Sequence, residues 1–432
     1  MLYLFSDPLF RAPFLGSMLM CFTSALVGSY LLVKRRTLLG ETLSHAAYPG
    51  VVLALFISSF FLLPSDNRLI FMILLGAFVL SYLGMMLIER LHIRYAMHLD
   101  SVMCLTLSTF LGLGVVIGSR MQSILPLWYQ QAQIFLYGQA ATMNDYHIVI
   151  YAILSLYTFL FMIFRFRQIE LVAFDRAFAQ SLGLKLHKID VALMTLTILA
   201  IIIGIRSAGV MMMAGMLIAP AVSARAFTSR YSYIMVLACV FGVLSGFGGN
   251  YFSILFSYKG FSLPTGPMIL LFSVAITLFS LLFAPKNGVI ARFIRIFQFR
   301  KHCHFENILK TLWKHGAGIP MNHKGILHWN PMVQVRLRIF LFILQKEGWI
   351  YKVSEGFLLT PDGIKRASHL VRLHRLWELY LTTCLNIDEK RVHHCAEEME
   401  HIITPEIERR LTLILHNPKR DPHHKPIPQE EV

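Results

Sequence analysis

The run PFLGSMLMCFTSALVGSYLLV, residues 13–33, carries no charge and stops at Lys34-Arg35-Arg36. A helix needs about 20 apolar residues to cross roughly 30 Å of hydrocarbon, so this run can span a bilayer, and its basic end marks a side left in water. Similar charge-free runs recur at Leu69–Ile88, Ser101–Ser119, Tyr231–Tyr258 and Gly266–Ala284. Leu43–Leu63, which carries His45 and a Pro49-Gly50 break, and His147–Phe164 also qualify. Between Val191 and Ala224 the only charge is Arg206, and that stretch is too long for one helix. Two spans broken at Arg206-Ser207-Ala208-Gly209 account for it, and the reading is an all-α polytopic membrane domain of about nine transmembrane helices.

Composition agrees. Of 432 residues, 56% are hydrophobic and only 15% charged, with mean hydropathy +0.59, too apolar for an ordinary soluble globule. The net charge is +16, and most of the basic surplus precedes Arg300. That placement points to cytoplasmic loops rather than to nucleic acid. With the N-terminus outside, Lys34, Arg35, Arg36, Arg90, Arg94, Arg165, Arg167, Arg176, Lys185, Lys188, Arg225 and Arg230 fall on inner loops. Arg11, Arg68, Arg120, Arg206 and Lys259 then lie outside, and everything after about Lys286 is cytoplasmic. The uncharged, Gln-containing segment Met121–Asn144 reads as an outer interfacial segment. Six cysteines without a C-x-x-C pair indicate neither a disulfide framework nor a thiolate zinc site.

Near residue 300 the composition changes. From His302 onward lie 13 of the 18 histidines and 15 of the 24 acids, with helical periodicity in place of long apolar runs. The expected division is a membrane domain over 1–285, a basic amphipathic linker over 286–301, and a second part beginning at 302. In that part His374 and Glu378 are spaced i, i+4, as are His393 and Glu397, and Glu400 and His401 follow Glu397 at i+3 and i+4. Each set projects from one helical face, so two crossing helices could offer the nitrogen and oxygen ligands that Mn, Fe, Co or Zn ions prefer. One such pair alone is more often a solvated helix face.

No G-x-x-x-x-G-K-[ST] occurs, so no P-loop binds a nucleotide here, and neither a nucleotide motif nor a nucleophile–base pairing marks an enzyme. Phe174, Phe178 and Leu182 are spaced i, i+4, i+8 in a long inner loop, which predicts a short amphipathic helix over 174–184 able to seat in a partner's groove or lie on lipid. His45 and Asp100 are ionisable groups near the span ends, candidates for an ion path, where helix capping and snorkelling are the structural alternatives.

Three patterns, LLVKRRTLLGETLSHAAYPG (31–50), FDRAFAQSLGL (174–184) and RSAGV (206–210) followed by MLIAPAVSAR (216–225), together resemble the permease subunits of metal-ion ABC transporters of the zinc/manganese/iron branch. The resemblance covers roughly residues 10–285. It implies a multi-pass protein of the bacterial inner membrane and a pore completed by a second permease copy or a paralogue. It also implies a separate cytoplasmic ATPase and an external metal-binding lipoprotein. It makes the 174–184 helix the coupling helix, with Phe174, Asp175, Phe178 and Gly183 facing the ATPase.

The second part, through FLLTPDGIKRASHLVRLHRLWELYL (357–381), VHHCAEEMEHIITPEIERRL (392–411) and DPHHKPIP (421–428), is similar to the diphtheria-toxin-repressor family of metal-dependent regulators. That family implies a winged helix-turn-helix, here 302–365, followed by a helical metal-binding and dimerisation domain, here 366–432, holding iron, manganese or zinc. Matched by motif, Glu397, Glu400 and His401 fall on its primary site and His374, Glu378 and His393 on its ancillary one. Glu397 stands where some members have Cys, which implies an oxygen-rich site of the manganese or iron type. Asn307 and Lys310 stand where relatives place metal ligands, leaving Glu306 or His304 to substitute. Gln334, Arg336 and Arg338 are the candidate DNA contacts of the recognition helix, which is otherwise apolar. Gly348-Trp349 and Gly356-Phe357-Leu358 fit the wing.

The expected function is the membrane subunit of an ATP-driven importer for a divalent transition metal, fused to a cytoplasmic sensor of the same metal. The alternative is metal-dependent repression at operator DNA by the C-terminal half, tethered or released by proteolysis.

Overall fold

The computed structural model describes residues 8–429, except 64, 65, 67, 139, 141, 142, 259–262, 317, 389–391, 393–395 and 398. The chain divides into two compact units, Met1–Arg292 and Phe293–Val432.

In the first unit the helices are α1 (Pro8–Val33), α2 (Leu38–Ser58), α3 (Arg68–Arg94), α4 (Leu99–Ile124), α5 (Pro126–Tyr137), α6 (Asp145–Phe164), α7 (Phe166–Phe174), α8 (Arg176–Ser181), α9 (Leu186–Ala208), α10 (Met213–Phe227), α11 (Tyr231–Tyr258) and α12 (Thr265–Phe283). Among the described residues seven are long and apolar enough to cross a membrane: α1, α3, α4, α6, α9, α11 and α12. The two other expected spans are present as helices, but α10 has only 15 residues, and α2 is lined with Gly40, Thr42, Ser44, His45, Ala46, Ala47 and Gly50. Those residues are buried in the bundle. Small and polar side chains suit a helix that faces protein rather than lipid.

Lipid-type surface lies at the periphery. Leu75, Val79 and Leu83 on α3, Leu113 and Val116 on α4, Val149, Ile153 and Leu156 on α6, and Leu271 and Leu278 on α12 are exposed. A soluble unit does not leave such continuous apolar faces open, whereas a bilayer covers them.

The interior is held by close backbone approach and a few polar contacts. A Cβ on Gly28 of α1 would lie 1.7 Å from the Leu217 carbonyl oxygen of α10, and one on Gly50 of α2 would lie 2.1 Å from the Gly76 carbonyl of α3. Only glycine permits these two crossings. Thr23 donates to Ser155 at 2.9 Å between α1 and α6, and Asn250 of α11 donates to Ser17 of α1.

Two local expectations are corrected. The Pro49-Gly50 break is absent: α2 runs through both residues, because tight packing on α3 holds the helix where proline removes one hydrogen bond. The single helix expected over 174–184 is two. α7 ends at Phe174, and Asp175 turns to extended backbone and caps α8, its carboxylate accepting from the Phe178 amide at 2.9 Å. The break near Arg206 is as expected, with Gly209 ending α9 at φ +81°. The 121–144 segment contains α5, whose Trp128, Ala132 and Phe135 are buried in the bundle.

The second unit is helical with one small sheet. α13 (Val289–Gly316) enters it as one continuous helix, so the linker and the first helix of this unit are one element. It is followed by α14 (His323–Trp329), α15 (Gln334–Lys346), the antiparallel hairpin β1 (Ile350–Val353) and β2 (Gly356–Leu359), then α16 (Pro361–Thr383) and α17 (Pro405–Ile414). Its core joins Phe305, Ile308, Leu309, Leu312, Ile326, Leu337, Leu341, Leu344, Ile350 and Phe357. α14, α15 and the hairpin make a winged helix-turn-helix arrangement. Thr360 caps α16 by accepting from the Gly363 amide, and Pro361 at the first helical position is pre-set for that start.

Candidate functional site

In the second unit α13 and α16 form a buried cluster with Glu400 and His401. Helical spacing puts Glu306 and Lys310 of α13 on one face and His374 and Glu378 of α16 on another. His374 is sandwiched: its Nε2 lies 3.1 Å from Glu378 and its Nδ1 lies 2.6 Å from Glu400. Carboxylate oxygens therefore face both ring nitrogens. Lys310 Nζ lies 2.7 Å from each Glu400 oxygen and 3.4 Å from His374 Nδ1. His374, Glu378 and Glu400 are at most 2% exposed and Lys310 is 6% exposed. Charges so removed from water persist only when paired, and here Glu400 meets the Lys310 ammonium while the His374 ring lies between Glu400 and Glu378.

Beside it His401 Nδ1 lies 2.7 Å from Glu306 Oε2, while Arg366 at 2.5 Å and His302 at 3.1 Å approach Glu306 Oε1. Burial alone would push the Glu306 carboxyl up, but the His401 hydrogen bond and the His302 and Arg366 charges outweigh it and hold it below the usual carboxylate range. Burial acts likewise on Glu400, and the His374 hydrogen bond and the Lys310 charge bring it below that range. Lys314, one turn beyond Lys310, is pushed down to about 8 by burial and then by the Lys310 charge.

The cluster tests the expected ligand set. The donors are nitrogen and oxygen, the chemistry that suits a divalent manganese, iron or zinc ion. His401 Nε2 is buried with no hydrogen-bond partner among the described residues and lies 3.7 Å from Glu400 Oε1, an orphaned donor atom of the kind a metal would satisfy. In the side-chain positions described, though, no group of three His, Cys, Asp or Glu residues among the described residues converges on a common point. The structure brings together His374, Glu378, Glu400 and His401. Glu397 is exposed, and His393 lies outside the described residues. Glu306 joins the group as the expected substitute, whereas His304 packs its ring on Phe340. By sequence Lys310 is only a departure from the ligand pattern, and its separation of 90 residues from Glu400 leaves no spacing signal.

Gln334, Arg336 and Arg338 are exposed at the start of α15, beside equally exposed Val333, Val335, Ile339 and Phe342.

In the first unit, Phe174, Phe178 and Leu182 are exposed around α8, and Gly183 ends the turn at φ +75°. That backbone conformation is one glycine adopts without a Cβ penalty. Asp190, near the start of α9, pairs with Lys34 beyond α1 at 2.5 Å and with Arg176 of α8 at 2.7 Å. Lys34 and Asp190 lie 156 residues apart, so spacing carries no sign of this clamp. His45 is buried in α2, its Nδ1 without a partner among the described residues. Glu41 precedes it by one turn, a spacing the sequence already carried. Asp100 is exposed in the first turn of α4, where a carboxylate complements the helix N-terminus.

Residues 6–284, the whole helical bundle, match the ABC 3 transport family. The chain belongs to that family. As a permease of the ABC 3 family it carries a second match over 360–429, to the iron dependent repressor metal binding and dimerisation domain. A "Probable metal transport system membrane protein" of Chlamydia trachomatis is 35% identical over 99% of this chain and 97% of its own length. The "Manganese transport system membrane protein MntC" of Bacillus subtilis is 30% identical, covering 85% of this chain and 82% of itself. The structure of PsaBC from Streptococcus pneumoniae in complex with Fab shares the permease fold, with a TM-score of 0.57 at 22% identity over 67% of this chain and 95% of that one. This chain is thus a multi-pass metal-transport permease with a repressor-like C-terminal domain.

Proposed function

We propose that the ABC 3 permease is the membrane subunit of an ATP-driven importer for a divalent transition metal and that its second unit senses that metal. The observation that carries this reading is the joining, in one chain, of a family-matched bundle over 6–284 to a repressor-type metal-binding domain over 360–429. Relatives named as manganese and zinc transport system membrane proteins support a transition metal as cargo, with iron, manganese and zinc the ions to test.

The inner loop gives the engine contact. With no P-loop in the chain, hydrolysis belongs to a cytoplasmic ATPase, and exposed Phe174, Phe178 and Leu182 are the apolar side chains to seat in it. The Lys34–Asp190–Arg176 clamp ties that helix to α1 and α9, a route for rigid-body motion. Glu41 and His45 on buried α2 are the candidate ion contacts. An external binding lipoprotein and a second permease copy or paralogue complete the assembly. The Lys/Arg bias supports an N-terminus outside and a cytoplasmic C-terminus.

In the second unit Glu400, His401 and Glu306, with His374 and Glu378, would hold the sensed ion. Bound there it would supply positive charge to carboxylates on separate elements and so couple their positions. Metal content measured in cells with and without the gene tests the transport reading, and unchanged manganese, iron and zinc would refute it. A reporter fused after Val432 that is active only in the cytoplasm tests the orientation.

A second reading is metal-dependent DNA binding by the winged helix, favoured by exposed Gln334, Arg336 and Arg338 at the start of α15. The released form would begin within the 286–301 linker. Metal-dependent retardation of operator DNA, lost in Arg336→Ala, separates it from a sensor that gates transport directly.

A further inference from the structure

Lys310 is an unusual occupant for a cluster of metal-type donors. It stands on α13, 6% exposed, with both Glu400 oxygens at 2.7 Å and the His374 ring nitrogen at 3.4 Å. An ammonium is a compact point charge, so carboxylate oxygens gather round it much as they would round a metal ion. A divalent ion on Glu400 would draw on the same lone pairs, and the two cations would repel across a short, poorly screened distance. His401 Nε2, buried and without a partner among the described residues, lies on the same carboxylate at 3.7 Å from Oε1. The cluster therefore holds one carboxylate paired with a built-in cation and one adjacent ring nitrogen with no hydrogen-bond partner among the described residues.

We propose that the Lys310 ammonium is the resident cation of Glu400 and that a divalent ion, entering on Glu400 and His401 Nε2, has to displace it. The inference rests on the reading of this cluster as the sensed-metal site. Displacement has two consequences. Metal affinity is set by competition, so the site fills only at a higher free-ion concentration than the same donors would need without the lysine. Lys310, released from burial, also becomes accessible when the metal is bound, which ties occupancy to a change on α13.

The test uses the full-length chain in nanodiscs with Mn2+ as the probe, read by electron paramagnetic resonance. The Mn2+ population that disappears in Glu400→Gln is the one belonging to this cluster. Lys310→Met keeps the aliphatic packing and removes the charge, and it is expected to tighten that population about tenfold or more. Unchanged or weaker binding in Lys310→Met would overturn the displacement while leaving the metal site standing. Binding in the wild type that ignores Glu400→Gln, or no Mn2+ bound at all, would overturn the metal reading itself. Should Lys310→Met not fold, amine acylation of the wild type followed by mass spectrometry decides. Lys310 labelling is expected to rise several-fold at saturating Mn2+ while Lys324 and Lys346 stay constant. A Lys310 that remains protected when the Glu400-dependent site is full would refute the displacement.

Discussion

Asp190→Asn removes the charge that holds three elements of the permease together. Asp190 Oδ1 lies 2.5 Å from Lys34, Oδ2 lies 2.7 Å from Arg176, and the side chains are 13%, 9% and 53% exposed in that order. The Lys34 half is nearly buried, so stranding its ammonium costs about 3 kcal/mol, while the half-exposed Arg176 pair is worth only about 0.5 kcal/mol. Lys34 would keep only neutral partners, the Tyr30 hydroxyl at 2.8 Å and the introduced amide oxygen. Lys34→Met alone should cost less, because Asp190 retains Arg176. The double variant leaves no stranded ammonium, so a coupling of about 1.5 kcal/mol or more between the two sites is expected. Denaturation of the detergent-solubilised chain, followed by reaction of the buried thiols Cys21 and Cys239, reports on this unit. Tryptophan emission would not, since four of the chain's five tryptophans lie in the second unit. Additivity within about 0.5 kcal/mol would refute a working pair. In membranes with the ATPase, the same variant should hydrolyse ATP with less metal moved per turnover; unaltered stoichiometry would remove the clamp from the coupling route.

Three further outcomes follow from the same structure. Gly28→Ala should prevent accumulation of folded permease, because its Cβ would meet the Leu217 carbonyl at 1.7 Å, whereas Gly112→Ala, with nothing within 4 Å, should be silent; quantitative immunoblotting of membranes compares them. Phe178→Asp, at an exposed position, should abolish co-purification of the ATPase while thermal unfolding of the chain is unchanged, and retained association would end the coupling-helix assignment. The Glu306 and Glu400 carboxyls sit below their ordinary value of 4.5, so their stabilisation is complete above pH 4.5 and is lost as pH falls through the lower folded values. Denaturation midpoints of the second unit should therefore drop as pH falls below 4.5, and Glu306→Gln should flatten that slope.

Much was legible in the sequence because membrane solvent imposes a local rule. A charge-free run such as residues 13–33 has to be helical wherever it sits in hydrocarbon, since every backbone polar group must pair within its own segment. Glycine at 209, with its left-handed φ, and threonine at 360, with its oxygen aimed at an amide, are likewise decided by neighbours in the chain. Against this, Pro49 and Gly50 read as a break, and only the crossing on Gly76 keeps α2 continuous. Phe174 and Phe178 share a helical period, yet Asp175 divides them, because one side chain capping one amide outweighs periodicity.

Contacts between distant residues needed the fold. The i, i+4 pair His374–Glu378 was visible as a pair, but nothing in spacing could tell that Glu400 would turn toward His374, that His401 would turn to Glu306, or that Lys310, 90 positions before Glu400, would meet both its oxygens. Lys34 and Asp190 are in the same position, separated by 156 residues. The sequence alone determined which segments are helices and what donor atoms they carry, because those depend on neighbours a turn away. Tertiary structure decided which charges meet, because a buried charge takes its partner from whatever the packing brings within a few ångströms, however far along the chain that partner lies.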